Sequence, residues 1–269
     1  MSNKRALYLA HGGGPLPLLG DPAHAEMNDC LKNIAASIKK PEAIILVSAH
    51  WEASNATVTS NAHPELIYDY YGFPDESYKI QYPSPGHPEL ANKILTALSK
   101  KGIDNNANAQ RGFDHGHFVP LKIMYPDADI PCVQLSLIKG LDPKQHIALG
   151  QVLQDIADES ILLIGSGFSF HNLQALRDPE NEHLGIANQD FEKWLINTCA
   201  SEDLDEHSRQ TKLIEWQEAP NARDCHPREE HLLPLHVCYG YAETAATHNY
   251  QVNVMQKQAS MFLWDDLLS

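Results

Sequence analysis

Three apolar runs in this chain end on a histidine or lead to one within a few residues, and this constrains the fold more than any other feature. Ala43-Ile-Ile-Leu-Val-Ser-Ala-His50-Trp51 carries an unbroken, largely β-branched stretch from Ile44 to Val47 and stops on His50. A run that is apolar at consecutive positions is the pattern of a strand buried on both faces of a parallel sheet. Residues 5–10 lead likewise into His11-Gly-Gly-Gly14, and residues 161–164 into Gly165-Ser-Gly-Phe-Ser-Phe-His171. Parallel strands bring their carboxyl ends to one edge of the sheet, where open α/β folds carry ligand sites. Three imidazoles delivered to one edge form the pattern of a metal site.

The rest of the chain fits one α/β domain over 1–269. There is no linker, repeat or low-complexity tract, and 269 residues can bury roughly three quarters of the unfolded surface. A net charge of -15, from 20 basic and 35 acidic residues, disfavours nucleic acid or an anionic membrane as partner. No apolar segment approaches the roughly 20 residues needed to span a bilayer. The N-terminus leads straight into a strand without a signal-peptide core. The five cysteines are odd in number, scattered, and without a Cys-x-x-Cys pair, so neither a disulfide framework nor a Cys-rich zinc site is expected, and a cytoplasmic location fits.

Alternating β and α patterns predict a mostly parallel central sheet flanked by helices, with the site at the carboxyl edge of the strands. Apolar spacings of three and four predict helices over 22–40, 88–101, 142–158, 186–200 and 206–219. Residues 228–241 read as partly helical, provided Pro234 lies in a first turn or at a kink. Residues 130–137 read as a strand, and 250–254 as the last one. Residues 111–118 read as a polar, glycine-punctuated loop. From 66 to 87, Tyr68, Tyr70, Tyr71, Phe73, Tyr78 and Tyr82 alternate with prolines and glycines. That composition is an ordered loop, readable as a lid whose rings, Tyr71, Phe73 and Tyr82 among them, stack on a flat aromatic substrate.

His11 stands before three glycines, but the spacing is not that of a phosphate-binding loop. His115, beside Asp114, suits a general acid or base on a loop. With His117 it forms a His-x-His pair that an extended chain would aim to one side. His231 follows Glu229 and Glu230, giving a ring and two carboxylates late in the chain, although acids are also expected at a first helical turn.

Leu9-Ala-His11-Gly, Val47-Ser-Ala-His50-Trp51, Gly72-Phe-Pro74, Tyr82-Pro-x-Pro-Gly86, Gly112-Phe-Asp-His115-Gly, Tyr125-Pro-Asp-Ala-Asp-Ile-Pro131, Val133-Gln-Leu-Ser136, Gly165-Ser-Gly167 with His171-Asn-Leu173, and Glu230-His231-x-Leu-Pro-Leu235 occur in this order. Together they resemble the DODA-type members of the class III (LigB-like) extradiol ring-cleavage dioxygenases, over about residues 6 to 264. The resemblance implies a non-haem dioxygenase that opens a DOPA-like catechol ring with O2 to a muconic semialdehyde. It implies one divalent metal per chain, Fe(II) for activity or Zn(II) as bound, on His11, His50, His171 and His231. It makes His115 the acid/base. In the wider superfamily two histidines and a glutamate hold iron and a histidine near the place of His171 is the base, so His171 has two readings and Glu230 competes with His231. Gly-Gly-Gly-Pro after His11 departs from the Gly-Ser-Pro of bacterial members, which bears on pocket shape. The rival chemistry for the same imidazoles is a zinc hydrolase, in which Zn(II) activates water without redox change.

Overall fold

Eight strands form one sheet in the computed structural model, which describes residues 4–158, 160–178 and 180–265. They are β1 Arg5–Ala10, β2 Ala43–Ala53, β3 Ala56–Thr59, β4 Asn105–Asn108, β5 Cys132–Ile138, β6 Ile161–Gly167, β7 His248–Val254 and β8 Lys257–Asp265, in the order β4-β3-β5-β2-β6-β1-β8-β7. The central four, β5, β2, β6 and β1, are parallel, while β8 pairs antiparallel with β1, β7 with β8, and β3 with β5. Helices follow as α1 Ala25–Ser37, α2 Pro88–Lys100, α3 His115–Met124, α4 Pro143–Leu153, α5 Leu173–Arg177, α6 Glu182–Ala200, α7 Glu206–Ile214, α8 Ala222–Cys225 and α9 Leu233–Ala242. The ends of the domain expected over 1–269, residues 1–3 and 266–269, lie outside the described residues.

The consecutive apolar residues of the central strands serve two cores. Ile45 and Val47 of β2 join Tyr8 of β1 and Leu163 of β6 in the cluster that includes Leu149 and Leu153 of α4 and Val237 of α9. Ile44 and Leu46, one residue out of phase, join Leu7, Leu9, Leu162 and Ile164 against Leu31 of α1 and Phe118 of α3. Period-two alternation thus reads as an unbroken apolar run because both faces of the sheet are covered by helices.

Three local expectations change. The strand at 248–254 is not the last. Met255 and Gln256 take positive φ (51° and 63°) and turn the chain into β8, at a hairpin that lacks the usual Asn-Gly or Asp-Gly signal. β4, Asn-Asn-Ala-Asn, has little strand propensity and exists through its in-register pairing with Ala56–Thr59. Residues 115–118 are helix rather than loop, the start of α3. Pro234 sits in the first turn of α9, where its missing N–H costs no intrahelical bond.

Candidate active site

β1, β6 and β2 are neighbours in the sheet, so the chain segments leaving their carboxyl ends meet. The segments after β1 and β6 carry His11 and His171, and His50 lies near the carboxyl end of β2 itself. The turn before α9 adds His231, and the first residue of α3 is His115. The five rings gather at one place: the ring centroid of His11 lies 4.8 Å from that of His50, 5.3 Å from His231 and 5.4 Å from His115, and those of His50 and His115 are 3.9 Å apart. His171 stacks on His231 at 3.4 Å with planes 14° apart.

Contacts at Nδ1 leave Nε2 free on four of the rings, His11, His171, His231 and His115. Pro120 lies inside α3 and has no N–H for the carbonyl of Gly116, four residues back. That carbonyl accepts instead from the Ser166 hydroxyl at 2.5 Å. Having spent its proton, Ser166 Oγ accepts from His11 Nδ1 at 3.0 Å, which leaves a lone pair on His11 Nε2. That Nε2 lies 3.0 Å from His50 Nε2. Glu230 Oε1 lies 2.9 Å from His231 Nδ1 and 3.3 Å from His171 Nδ1, so one carboxylate oxygen orients both stacked rings. Asp69, from the tyrosine-rich loop, accepts from His115 Nδ1 at 2.8 Å.

The electrostatics keep these groups as nitrogen donors. Burial pushes the imidazolium forms of His11 and His231 far out of reach, with neighbouring imidazoles adding to it, and holds His50 at about 3. Burial would raise the Glu230 carboxyl, but hydrogen bonds from His171 and His231 outweigh it and keep Glu230 ionised. One ligand nitrogen from each of His11, His50 and His231 lies within 4.8 Å of the others, as do ligand atoms of His171, Glu230 and His231. Two nitrogens bound at ~2.0–2.1 Å to one tetrahedral ion stand roughly 3.3 Å apart. The 3.0 Å between His11 Nε2 and His50 Nε2 is close to that spacing. Neutral imidazoles backed by hydroxyl and carboxylate acceptors suit a first-row divalent ion, and the cluster can take one.

Above the histidines opens a cavity of about 690 Å³. Gly12–Gly14, Leu16, Tyr70, Phe73, Phe168, Leu173, Leu176 and Met255 supply its apolar and backbone walls, and Arg177, Arg228 and Glu52 its charged ones. Among the rings expected to meet a substrate, Phe73 lines this space. Tyr71 is 92 % exposed and stands outside the lining. Tyr82 is buried against the far side of α3, its hydroxyl donating to the Tyr125 carbonyl at 3.0 Å, so its ring is part of the core. Sequence spacing in a proline-rich loop does not say which rings turn inward, and Tyr70, which composition does not set apart from its neighbours, lies on the lining. His117 does not pair with His115. Two residues apart on a helix they point in different directions, and His117 stacks on Phe113 at 3.8 Å in the core.

Two further residues shape the site without a sequence signal strong enough to reveal them. His24 accepts from the Gly13 N–H at 3.0 Å and braces the glycine turn. Gly167 lets the His231 strand of backbone approach: a Cβ there would lie 2.1 Å from the His231 carbonyl, which already accepts from Phe168 N and Tyr8 Oη. Gly167→Ala is therefore expected to push His231 off its position, cost about 1–3 kcal/mol of stability and lower metal content. Gly185→Ala on α6, with nothing within 4 Å, is the matched control. Thermal melts and metal analysis of the two variants check this.

Comparison with known proteins agrees with the geometry. Residues 5–263 match the family described as the catalytic LigB subunit of aromatic ring-opening dioxygenase. The dioxygenase tasH of Hapsidospora irregularis is 39% identical over 256 residues, covering 88% of this chain and 77% of that one. The 4,5-DOPA dioxygenase extradiol of Beta vulgaris is 37% identical (89% and 87% covered), and its namesake in Escherichia coli K12 33% (87% and 84%). A crystal structure of an uncharacterized protein from Escherichia coli K12 superimposes with a TM-score of 0.69 at 26% identity, covering 97% of this chain and 99% of that one. The chain belongs to the LigB family of aromatic ring-opening dioxygenases, and it is a dioxygenase rather than a hydrolase.

Proposed function

We propose that this dioxygenase opens a catechol ring whose side chain carries a carboxylate, the DOPA-like class named for its Beta vulgaris and Escherichia coli relatives, at one divalent ion held by His11, His50, His171 and His231. The observation that carries the reading is the convergence of inward-facing, proton-free imidazole nitrogens at the floor of an aromatic-walled cavity. Glu230 is assigned as the carboxylate that orients His171 and His231, since its Oε1 is occupied by their Nδ1 atoms. When bound as Fe(II), the metal supplies the one-electron chemistry that permits O2 to react with a catechol; Zn(II) in the same place supplies none.

The chain's own residues do the rest. Phe73 and Tyr70 provide ring edges and faces against which a flat substrate stacks. Leu173, Leu176, Phe168 and Met255 exclude water from the reacting end. His115 exchanges a proton with the substrate at Nε2, the nitrogen left free by its bond to Asp69. Arg177 is exposed on the cavity wall with no ion pair among the described residues, whereas Arg228 is engaged by Glu52 and Glu230. Arg177 is therefore the guanidinium available to a substrate carboxylate. The absence of a disulfide among the five cysteines supports a reducing compartment such as the cytoplasm; among the described residues no helix is long and apolar enough to cross a membrane.

The test is anaerobic loading with Fe(II), then addition of DOPA or catechol, then O2. A coloured ring-opened semialdehyde is expected, and its absence from metal-loaded protein across a catechol panel would overturn the reading. In the same panel, Arg177→Gln is expected to raise KM about tenfold for catechols carrying a carboxylate and to leave 4-methylcatechol unchanged.

A further inference from the structure

The tyrosine-rich loop does more than wall the cavity. Between Tyr68 and Tyr70, both packed edge-on or tilted against Phe118 of α3, it delivers the carboxylate of Asp69 to the start of that helix. A single oxygen, Asp69 Oδ1, accepts two hydrogen bonds from one residue: from the His115 backbone N–H at 2.9 Å and from His115 Nδ1 at 2.8 Å. Burial alone would raise the Asp69 carboxyl, yet its bonds to His115 hold it below the usual carboxylate range, so it is an anion. The ring of Tyr70 closes the remaining side of His115, edge-on at 5.7 Å.

From this geometry we infer that Asp69 is the positioning residue of the acid/base. Resting on the dioxygenase reading above, this assigns to the loop the task of making His115 chemically competent. An imidazole whose Nδ1–H is held by a carboxylate exists as one tautomer, with its lone pair on Nε2 and no freedom to flip. The His115 ring lines the cavity, with its centroid 3.9 Å from that of His50. When Nε2 takes a proton from the catechol, the nearby anion stabilises the imidazolium. When Nε2 returns the proton to a reaction oxygen, the neutral tautomer is restored. Asp69 itself never exchanges the proton, and no other reactant is needed. The backbone bond adds a second constraint: it ties the ring's anchor to the N-terminus of α3, so the carboxylate cannot swing away without releasing an orphan N–H of that helix. The loop residue and the helix residue are 46 positions apart, and neither reveals the other in sequence.

The inference is checked with Asp69→Ala and Asp69→Asn beside the wild type. In metal-free protein, nitrogen-15 NMR of the histidine rings is expected to show His115 as the Nδ1–H tautomer in the wild type and as a mixture or the Nε2–H tautomer in Asp69→Ala. In Fe(II)-loaded protein, Asp69→Ala is expected to lower kcat roughly a hundredfold, with KM and metal content within about twofold of wild type. Asp69→Asn keeps an oxygen acceptor for both N–H groups and is expected to recover part of the loss, which a merely structural role for a charged side chain would not produce. Circular dichroism and thermal melts establish that the variants are folded. An unchanged His115 tautomer in folded Asp69→Ala, or a kcat within threefold of wild type, overturns the inference while leaving the dioxygenase reading intact. If the wild type itself gives no ring-opened product, it is the reading beneath it that fails, and the tautomer measurement in metal-free protein still decides the role of Asp69.

Discussion

His50→Ala is expected to leave a folded protein that no longer retains stoichiometric metal and whose ring-opening turnover falls by at least about a thousandfold. The expectation of a folded product comes from how His50 is held. Its backbone N–H is received by Ser48 Oγ at 3.1 Å, and the Ser48 hydroxyl in turn donates to the buried Asp114 at 2.8 Å. Asp114 also receives Arg111 at 2.8 Å and the Gln134 side chain, so the end of β2 is anchored without the imidazole. What the substitution removes is one nitrogen of a closely spaced pair, and no other side chain of the cluster can move into its place without breaking a bond to Ser166, Glu230 or Asp69. His11→Ala and His231→Ala should behave alike. His171→Ala separates the two roles its position allows. Its share of Glu230, the carboxylate that also holds His231, accords with a fourth metal nitrogen, and then metal content drops. Full metal content with lost turnover would instead make His171 the base that takes the first catechol proton. Metal analysis beside single-turnover assays reads out both.

How far this site was visible in the residues alone follows from what each part depends on. The run from Ile44 to Val47 can be recognised because double burial removes all polar residues, but its place between β5 and β6, with β1 beyond β6, is a tertiary fact that the run does not carry. His11, His50 and His171 were legible because each sits just past such a run. The assignment of His231 and His115 came from resemblance, because nothing in a polar segment announces which histidine returns to the sheet edge. Only the start of α3, residues 115–118, falls in the stretch that reads as loop, because Gly112 and Gly116 punctuate a polar segment. It forms because Ser166 and Asp69 satisfy groups that the helix itself cannot. β4 and β8 depended on pairing partners and on positive φ at Met255 and Gln256, tertiary facts with no local signature. Side-chain direction in the tyrosine-rich loop was likewise unavailable: Tyr70 faces the cavity, Tyr71 the solvent and Tyr82 the core, although all three share one composition.

Acid should destabilise the metal-free protein steeply, by at least roughly 3 kcal/mol per pH unit between about pH 6 and pH 4.5. Three buried histidines outside the proposed metal ligands supply this floor, and His11, His50 and His231, which burial also keeps from taking a proton, add to it. Burial is the leading cause that holds His117 and His226 at about 3 and His146 at about 4. His146 donates from Nδ1 to the Asp142 carbonyl at 2.7 Å and accepts from the Ile138 N–H at Nε2, so a second ring proton would break a bond as well. In the unfolded chain the same rings titrate near 6.5. Below that pH the unfolded state binds three protons that the native state refuses, and stability falls as pH falls, by about 1.4 kcal/mol per unit for each. Glu192 acts in the opposite sense. Burial raises its carboxyl to about 7, so the native state takes up that proton on acidification before the unfolded chain does, and offsets one histidine. Two net protons remain from these four groups alone, against a total stability of only about 5–15 kcal/mol for a typical domain. Urea titrations at pH 7.5, 6.0 and 5.0 measure the slope. His117→Phe supplies the decisive comparison, because neither ring nitrogen of His117 has a hydrogen-bond partner and its ring already stacks on Phe113. That variant should fold, keep its stability at pH 7.5 within about 1.5 kcal/mol, and lose about 1.4 kcal/mol per pH unit of the acid slope; an unaltered slope would show that His117 already carries a proton in the native state.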